Sequence, residues 1–464
     1  MQRAGAGTRS AVGDTNQRSE IPVSEQPLME RTPTTGRAFE PLSLLARYAP
    51  VPVAAIEAAR PRRRCRVALY SHDTLGLGHR RRNLLIAHAL SGSPLGASIL
   101  IINGSASSAC FPCPPGADCL TLPALSKEAD GRYQARHLDL SLEGIVKLRR
   151  TAIRAALEAF EPDLFIVDNV PRGAARELDP ALEFLRQRGR TRCVLGLRDV
   201  LDDPEAVREE WERAANEQAV RDYYDAVWVY GDPSVYDAAR EYGFSAALVA
   251  KMRYTGYLDH RVRLQLGGAS GDPLGRLRLP PGRLVLCLVG GGQDGGLLAE
   301  SFARAEPPEG YNSVLITGPF MPADAQARLR ALAQGRERLR VLPFVSEPSI
   351  LLSRADRVIS MGGYNTVWEV LSFEKPALIV PRVRPRAEQL VRAQRLQELG
   401  FLDVLHPDWL TPGALEEWIA REPRPWRSAR SYVDFGGLDR LPTLAMDLAS
   451  AEVSSHARVA RVLA

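Results

Sequence analysis

The stretch RVALYSHDTLGLGHRRRNLLIAHAL, Arg66–Leu90, decides the fold. Its apolar opening reads as a buried strand, Gly76 and Gly78 make a tight turn, and the apolar spacing after Arg82 is that of a helix. Strand, glycine loop and helix in that order open a doubly wound α/β domain, whose ligands gather beyond the carboxyl ends of the strands. The consecutive Arg80, Arg81 and Arg82 are the anomaly, since cations in a helix's first turn oppose its dipole at ~0.3–1 kcal/mol each. Either they point into solvent, which suits at least one of them, or an anion bound at the helix end compensates them.

Short apolar runs recur beyond it, ASILIIN, DLFIVDN, RCVLGLRD and AVWVYGD, between amphipathic stretches such as SLEGIVKLRRTAIRAALEAFEP. That alternation makes a parallel sheet covered by helices on both faces. It dissolves into the Gly/Pro/Arg-rich YTGYLDHRVRLQLGGASGDPLGRLRLPPGR and then restarts. RLVLCLVGGGQDGGLLAESFARA repeats strand, glycine loop and helix, and SVLITG, LRVLPFV, DRVISMGG and PALIVPR follow. The expected fold is α/β, with two doubly wound Rossmann-like domains facing a cleft. Residues 61–258 would form the first, 259–282 the linker and 283–425 the second. Residues 1–60 read as a disordered or arm-like tail, and residues 426–464 as a C-terminal helical segment.

The bulk numbers agree. A chain of 464 residues exceeds one ordinary core, so two domains of ~150–200 residues are the default. A net charge of +5 is small for that length and does not suggest nucleic acid. The one cysteine cluster, Cys110, Cys113 and Cys119, has no histidine nearby to complete a zinc site, so no metal is expected. No run of about 18 apolar residues exists to cross a membrane, and the first residues lack the apolar core of a signal peptide. A cytoplasmic protein is expected, peripheral to the membrane if its ligand is lipid-linked.

The first loop, Gly76 to Arg81, fails the dinucleotide fingerprint because Arg81 stands at the third glycine place, and ILIINGS ends the second strand without an acid. Neither loop is a P-loop. The second loop, Gly290 to Gly296, is glycine-dense enough for backbone to approach phosphate, or is a purely structural turn. A third unit, ADRVISMGGYNTVWEVLSFEKPALIVPRVRPRAEQLVRAQRLQELG, holds a strand, the Gly362-Gly363 turn and a helix opening at Thr366. A further strand and a helix opening near Glu388 and Gln389 follow.

That third unit resembles the nucleotide-sugar site of GT-B glycosyltransferases. It is nearest the lipid II-forming peptidoglycan N-acetylglucosaminyltransferases and their diacylglycerol glycosyltransferase relatives. GGYNTVWE reproduces the family's small-residue turn, Thr366 and, three residues on, Glu369, and RAEQ stands where the family carries a polar, usually Gln-Gln, pair. The family's GGH loop is matched at Gly78-His79, with Leu84, Ile86, Ala87, His88 and Leu90 at its helix positions. Arg82 departs from the family's proline, GLG from its TGG, and Glu388 from its first glutamine. The likeness covers Arg66–Leu90 and Leu284–Phe401, so donor binding carries over better than acceptor identity. GLRDVLDDP and DNVPRGAARELDPAL mark a distinct branch.

The resemblance implies an inverting, metal-independent glycosyltransferase with a UDP-sugar as donor, UDP-N-acetylglucosamine being the nearest candidate, and no cofactor. The acceptor would be a small molecule or lipid-linked, with the apolar stretch Leu42–Ile56 as a candidate lipid contact. Phe344 and Val345 would read the uracil edge, and Glu369 would accept from the ribose hydroxyls. Against that role, Thr366-x-x-Glu369 is also a capping box. The amides of Gly363, Tyr364, Asn365 and Thr366 would meet the diphosphate at the helix end. Gly291, Gly292 and Gln293 would approach it from another side, with Glu388 and Gln389 completing the donor site. Gly78, Arg80 and Arg81 would face the diphosphate or acceptor when the cleft closes. His79 would be the general base or a phosphate donor, with a structural histidine bonded within its turn as the bland alternative, and Asp73 would be a second candidate base. A UDP-sugar hydrolase or 2-epimerase on the same scaffold is the alternative enzyme, and a non-catalytic nucleotide-sugar-binding protein the third reading.

Overall fold

The apolar runs pair as parallel strands because each is buried on both faces, the condition under which a strand reads as a near-continuous hydrophobic run. A computed structural model describes residues 64–72, 78–104, 113–127, 133–266, 273–422 and 427–450. The tail, the Leu42–Ile56 stretch, Gly76, Asp73 and Cys110 lie outside the described residues. Arg63–Ala464 forms one compact unit that contains both sheets.

The first sheet comprises β1 (Arg66–Ser71), β2 (Ser98–Asn103), β3 (Ala117–Thr121), β6 (Leu164–Asp168), β7 (Arg192–Arg198), β8 (Ala226–Tyr230) and β9 (Met252–Tyr254). Among the described residues it runs β3-β2-β1-β6-β7-β8-β9, parallel throughout, and a small antiparallel pair, β4 (Leu125–Lys127) and β5 (Tyr133–Ala135), sits apart. The second sheet comprises β10 (Arg283–Leu288), β11 (Tyr311–Ile316), β12 (Leu339–Leu342), β13 (Arg357–Ser360), β14 (Ala377–Ile379) and β15 (Asp403–Val404). Its order is β12-β11-β10-β13-β14-β15, also parallel. Strand order reverses between β1 and β6 and again between β10 and β13, and such switch points leave a crevice at the strand ends.

Four helices position the site: α1 (Gly78–Ser91), α2 (Tyr364–Ser372), α3 (Glu388–Glu398) and α4 (Gly437–Ser450). The last returns from the second sheet's side to pack on α1 and β6, and the chain before it is tied down by Tyr257 N–H donating to Asp434 O at 2.7 Å.

The two halves are joined by polar as well as apolar contacts. Asp199, just past β7, accepts from Arg392 Nη2 of α3 at 2.9 Å and from Trp368 Nε1 of α2 at 3.0 Å, all three buried. Trp368 in turn stacks on Tyr257, with ring centroids 3.2 Å apart. Asp202 Oδ1 accepts the Ala387 N–H at 2.7 Å, so the first half satisfies an otherwise orphaned amide at the start of α3. Tyr364 Oη donates to the Tyr230 carbonyl at 2.7 Å. The stretch expected as a linker is more than a connector, because His260 and Arg263 within it are buried and Arg263 Nη2 donates to the Arg81 carbonyl at 2.7 Å.

Candidate functional site

Both switch points open onto one cavity of about 1270 Å³. Gly78, His79 and Arg81 line it from the first half. From the second half come Gly291, Gly292, Gln293, Phe344 and Val345, then Gly363, Tyr364, Asn365, Thr366 and Glu369, and finally Glu388 and Gln389. The walls approach closely at one point, where a Cβ on Gly78 would lie 2.7 Å from Asn365 Nδ2.

His79 is bonded both within its own turn, where Arg82 Nη2 lies 3.1 Å from its Nδ1, and beyond it. Its Nδ1 lies 2.6 Å from Asp168 Oδ2, at the carboxyl end of the neighbouring strand β6. Arg82 reaches the same carboxylate, with Nη2 at 2.5 Å from Oδ1 and 2.6 Å from Oδ2, and its guanidinium lies 5.3 Å from the centre of the Tyr364 ring. Burial alone would raise the Asp168 carboxyl, but Arg82 and then His79 outweigh it and hold the group below the usual carboxylate range. His72, at the end of β1, is pushed well below the ordinary histidine value by burial and then by the nearby His79, so it is neutral.

Arg81 and Arg82 of the run are compensated by carboxylates of the chain itself, and none of the three arginines points into solvent: Arg80 is 2% exposed, Arg82 1% and the Arg81 side chain 14%. Arg82 turns to β6. Arg81 crosses the cleft to Glu369 Oε1 at 3.3 Å and Glu347 Oε1 at 3.2 Å. Arg80 turns away from the cavity to the edge strand, with Nη1 3.6 Å from Cys119 Sγ. The expectation that Arg80 faces the diphosphate is therefore corrected, because successive helix positions diverge by about 100° and cannot share one target. The dipole conflict is relieved by Asp168, Glu347 and Glu369, three acids from distant parts of the chain.

In the second half, α2 begins at Tyr364 with Gly363 as its N-cap and no side-chain cap. Thr366 and Glu369 therefore do not form a capping box, and Glu369 is instead buried against Arg81 and the Ser349 hydroxyl. The glycines of the second loop divide. Gly292 adopts φ +96°, where a Cβ would meet Thr317 O at 2.3 Å, so packing of adjacent turns requires it. Gly291 and Gln293 lie on the cavity wall. Gln389 Oε1 accepts from the N–H groups of Gly362 at 3.0 Å and Arg382 at 3.1 Å, bracing two strand-end turns. Glu388 takes Arg382 at 2.5 Å on Oε1, while its buried Oε2 has no partner among the described residues. Asn365 Oδ1 is likewise buried and unpartnered.

Asp73 lies outside the described residues, and among those described no group of three His, Cys, Asp or Glu is placed to hold a metal ion. Cys113 and Cys119 bring their sulfurs to 2.7 Å. Sequence reasoning missed Asp168 and Arg198 as site residues, and Asp199 as the acid that joins the two halves. Its available signal was an acid or arginine closing an apolar run, in DLFIVDN and RCVLGLRD, since strand ends of a parallel sheet face the ligand.

With two parallel Rossmann-like sheets meeting at their switch points, the class of architecture is GT-B. The structure aligns with MurG of Acinetobacter baumannii over 82% of this chain and 99% of that one, at 15% identity and a TM-score of 0.50. It also aligns with the UDP-GlcNAc 2-epimerase of Methanocaldococcus jannaschii over 82% and 99%, at 11% identity and a TM-score of 0.53. Residues 286–425 match the glycosyltransferase family 28 C-terminal domain. In sequence the chain is 32% identical over 114 residues to the UDP-N-acetylglucosamine–N-acetylmuramyl-(pentapeptide) pyrophosphoryl-undecaprenol N-acetylglucosamine transferase of Opitutus terrae, covering 24% of this chain and 30% of that protein. Matches to such curated relatives span 20% to 31% of their length. Among the described residues no helix is long and apolar enough to cross a membrane.

Proposed function

We propose that the protein is an inverting glycosyltransferase that moves a sugar from a UDP-sugar, N-acetylglucosamine being the first to test, to a hydroxyl acceptor. One observation carries the reading: His79 is held at 2.6 Å by buried Asp168, and it lines the same cavity as the N-terminus of α2. The family match over the second half supports a nucleotide-sugar donor there.

In this reading Nδ1–H of His79 donates to Asp168, leaving Nε2 as the base. It takes the acceptor's hydroxyl proton as the new bond to the anomeric carbon forms. The bond to the diphosphate oxygen breaks on the opposite side, its electron pair leaves with UDP, and the anomeric centre inverts. The amides of Tyr364, Asn365 and Thr366, with the helix dipole behind them, receive the charge on the departing diphosphate. Arg81 and Arg382 supply cations beside it, so the reaction would proceed without a divalent ion. Phe344 and Val345 would hold the base edge, and Glu369 the ribose. A lipid-linked acceptor would bring the enzyme to a membrane surface, and a soluble one would not.

The test is incubation with UDP-N-acetylglucosamine and other UDP-sugars, with and without an acceptor pool. Sugar transfer with UDP release supports the proposal. Free sugar or epimerised UDP-sugar at a comparable rate without acceptor would assign the alternative activity, and binding without turnover in any mixture would leave a nucleotide-sugar-binding protein.

A further inference from the structure

The cavity carries a cation that the donor reading leaves unused. Arg198 closes β7 and lines the first half's wall. Its Nε donates to Asn169 Oδ1 at 3.2 Å, and no carboxylate among the described residues pairs with its guanidinium. The acids whose charges reach it are already engaged: Asp168 by Arg82 and His79, and Glu388 by Arg382. Burial, followed by the repulsion of Arg82, pulls Arg198 down to about 10.

Arg198 is half-buried on the cavity wall, so its guanidinium is open to a ligand there, and a cation that no carboxylate among the described residues pairs is available to an anion. Two further features show a built site. Asn169 sits at φ +66°, a left-handed conformation uncommon outside glycine, and it aims its amide oxygen at Arg198. His72 lines the same wall, only 8% exposed, with Nδ1 unpartnered among the described residues. At the mouth, Arg213 and Arg384 add exposed cations.

We propose that Arg198, braced by Asn169 and flanked by His72, forms an oxyanion subsite on the acceptor side of the cleft, so that the acceptor carries a phosphate or carboxylate group. The guanidinium fork matches either group through two parallel hydrogen bonds. The acceptor side is indicated because Arg198 shares its wall with the His79–Asp168 pair, where the attacking hydroxyl must lie. The donor diphosphate, by contrast, is placed at Gly291 and the start of α2 in the second half. This assignment rests on the glycosyltransferase reading.

Calorimetric titration of the full chain with inorganic phosphate and with acetate, at saturating UDP, tests it. The wild type should bind at least one probe at a single site, phosphate indicating a phosphorylated acceptor and acetate a carboxylated one. R198M should weaken that binding at least tenfold and leave UDP affinity within twofold. R198K, which keeps the charge without the fork, should fall between them. Equal anion binding by wild type and R198M overturns the subsite. A tenfold loss of UDP affinity in R198M overturns its acceptor-side placement. Failure of the wild type to bind UDP or UDP-sugars would count against the donor reading alone, since the phosphate and acetate titrations can be read without UDP.

Discussion

Arg81 Nη2 and Glu369 Oε1 form an ion pair of 3.3 Å across the cleft, joining the first turn of α1 to the middle of α2. The carboxylate proposed to hold the donor's ribose is thus already occupied by a cation from the opposite half. A ribose hydroxyl that takes Oε1 would compete there with Arg81 and the Ser349 hydroxyl, so donor binding at that oxygen would weaken this contact across the cleft and free Arg81 to meet the diphosphate.

Opposite effects on the two partners should follow. E369A removes hydrogen bonds to a charged acceptor, each worth ~1.5–3 kcal/mol, and should weaken UDP binding at least tenfold. R81M removes the competitor and should bind UDP as well as wild type or up to about tenfold more tightly, which corresponds to ~1.4 kcal/mol, while turnover falls. Calorimetry with UDP checks both, and equal losses of affinity in the two variants would mean that Glu369 does not meet the ribose.

The His79–Asp168 contact of 2.6 Å should act as a unit in catalysis. H79A should lower kcat by ~100-fold or more with little change in UDP affinity, as expected for an acid–base group. D168N should cost a similar factor, and the double variant should lose little beyond either single change. Independent, additive losses would separate Asp168 from the histidine.

Stability should fall on mild acidification. His72 and His260 have folded values well below the ordinary one, each chiefly through burial. The unfolded chain therefore binds more protons below pH ~6.5, and the stability present above that pH is lost as pH falls, at ~1.4 kcal/mol per unit for each group. Urea unfolding at pH 7.5, 6.5 and 5.5 should show the slope, and H260N should remove about half of it. An unchanged slope in H260N would show that the proton uptake lies elsewhere.

Metal removal should matter little if arginines and helix dipoles carry the leaving charge. EDTA is expected to leave turnover within about twofold, whereas a metal-bridged diphosphate would lose most of its stabilisation. Abolition by EDTA with rescue by magnesium or manganese would overturn that account.

The sequence by itself determined the two parallel sheets, because each apolar run and each glycine turn answers a local demand. Buried strands must be apolar, as in RVALYS and RLVLCL, and Gly292 stands at φ +96°, a backbone conformation that suits glycine. The donor-side motif was legible for the same reason, GGYNTVWE being one contiguous turn and helix. Tertiary structure alone decided where the charges go. Arg82 meets Asp168 across 86 residues of sequence, Arg392 meets Asp199 across 193, and Arg81 meets Glu369 across 288. Neither periodicity nor spacing encodes such partners. An arginine at a helix start looks like a dipole error until the fold brings a distant carboxylate within reach, as it does for Arg81 and Arg82.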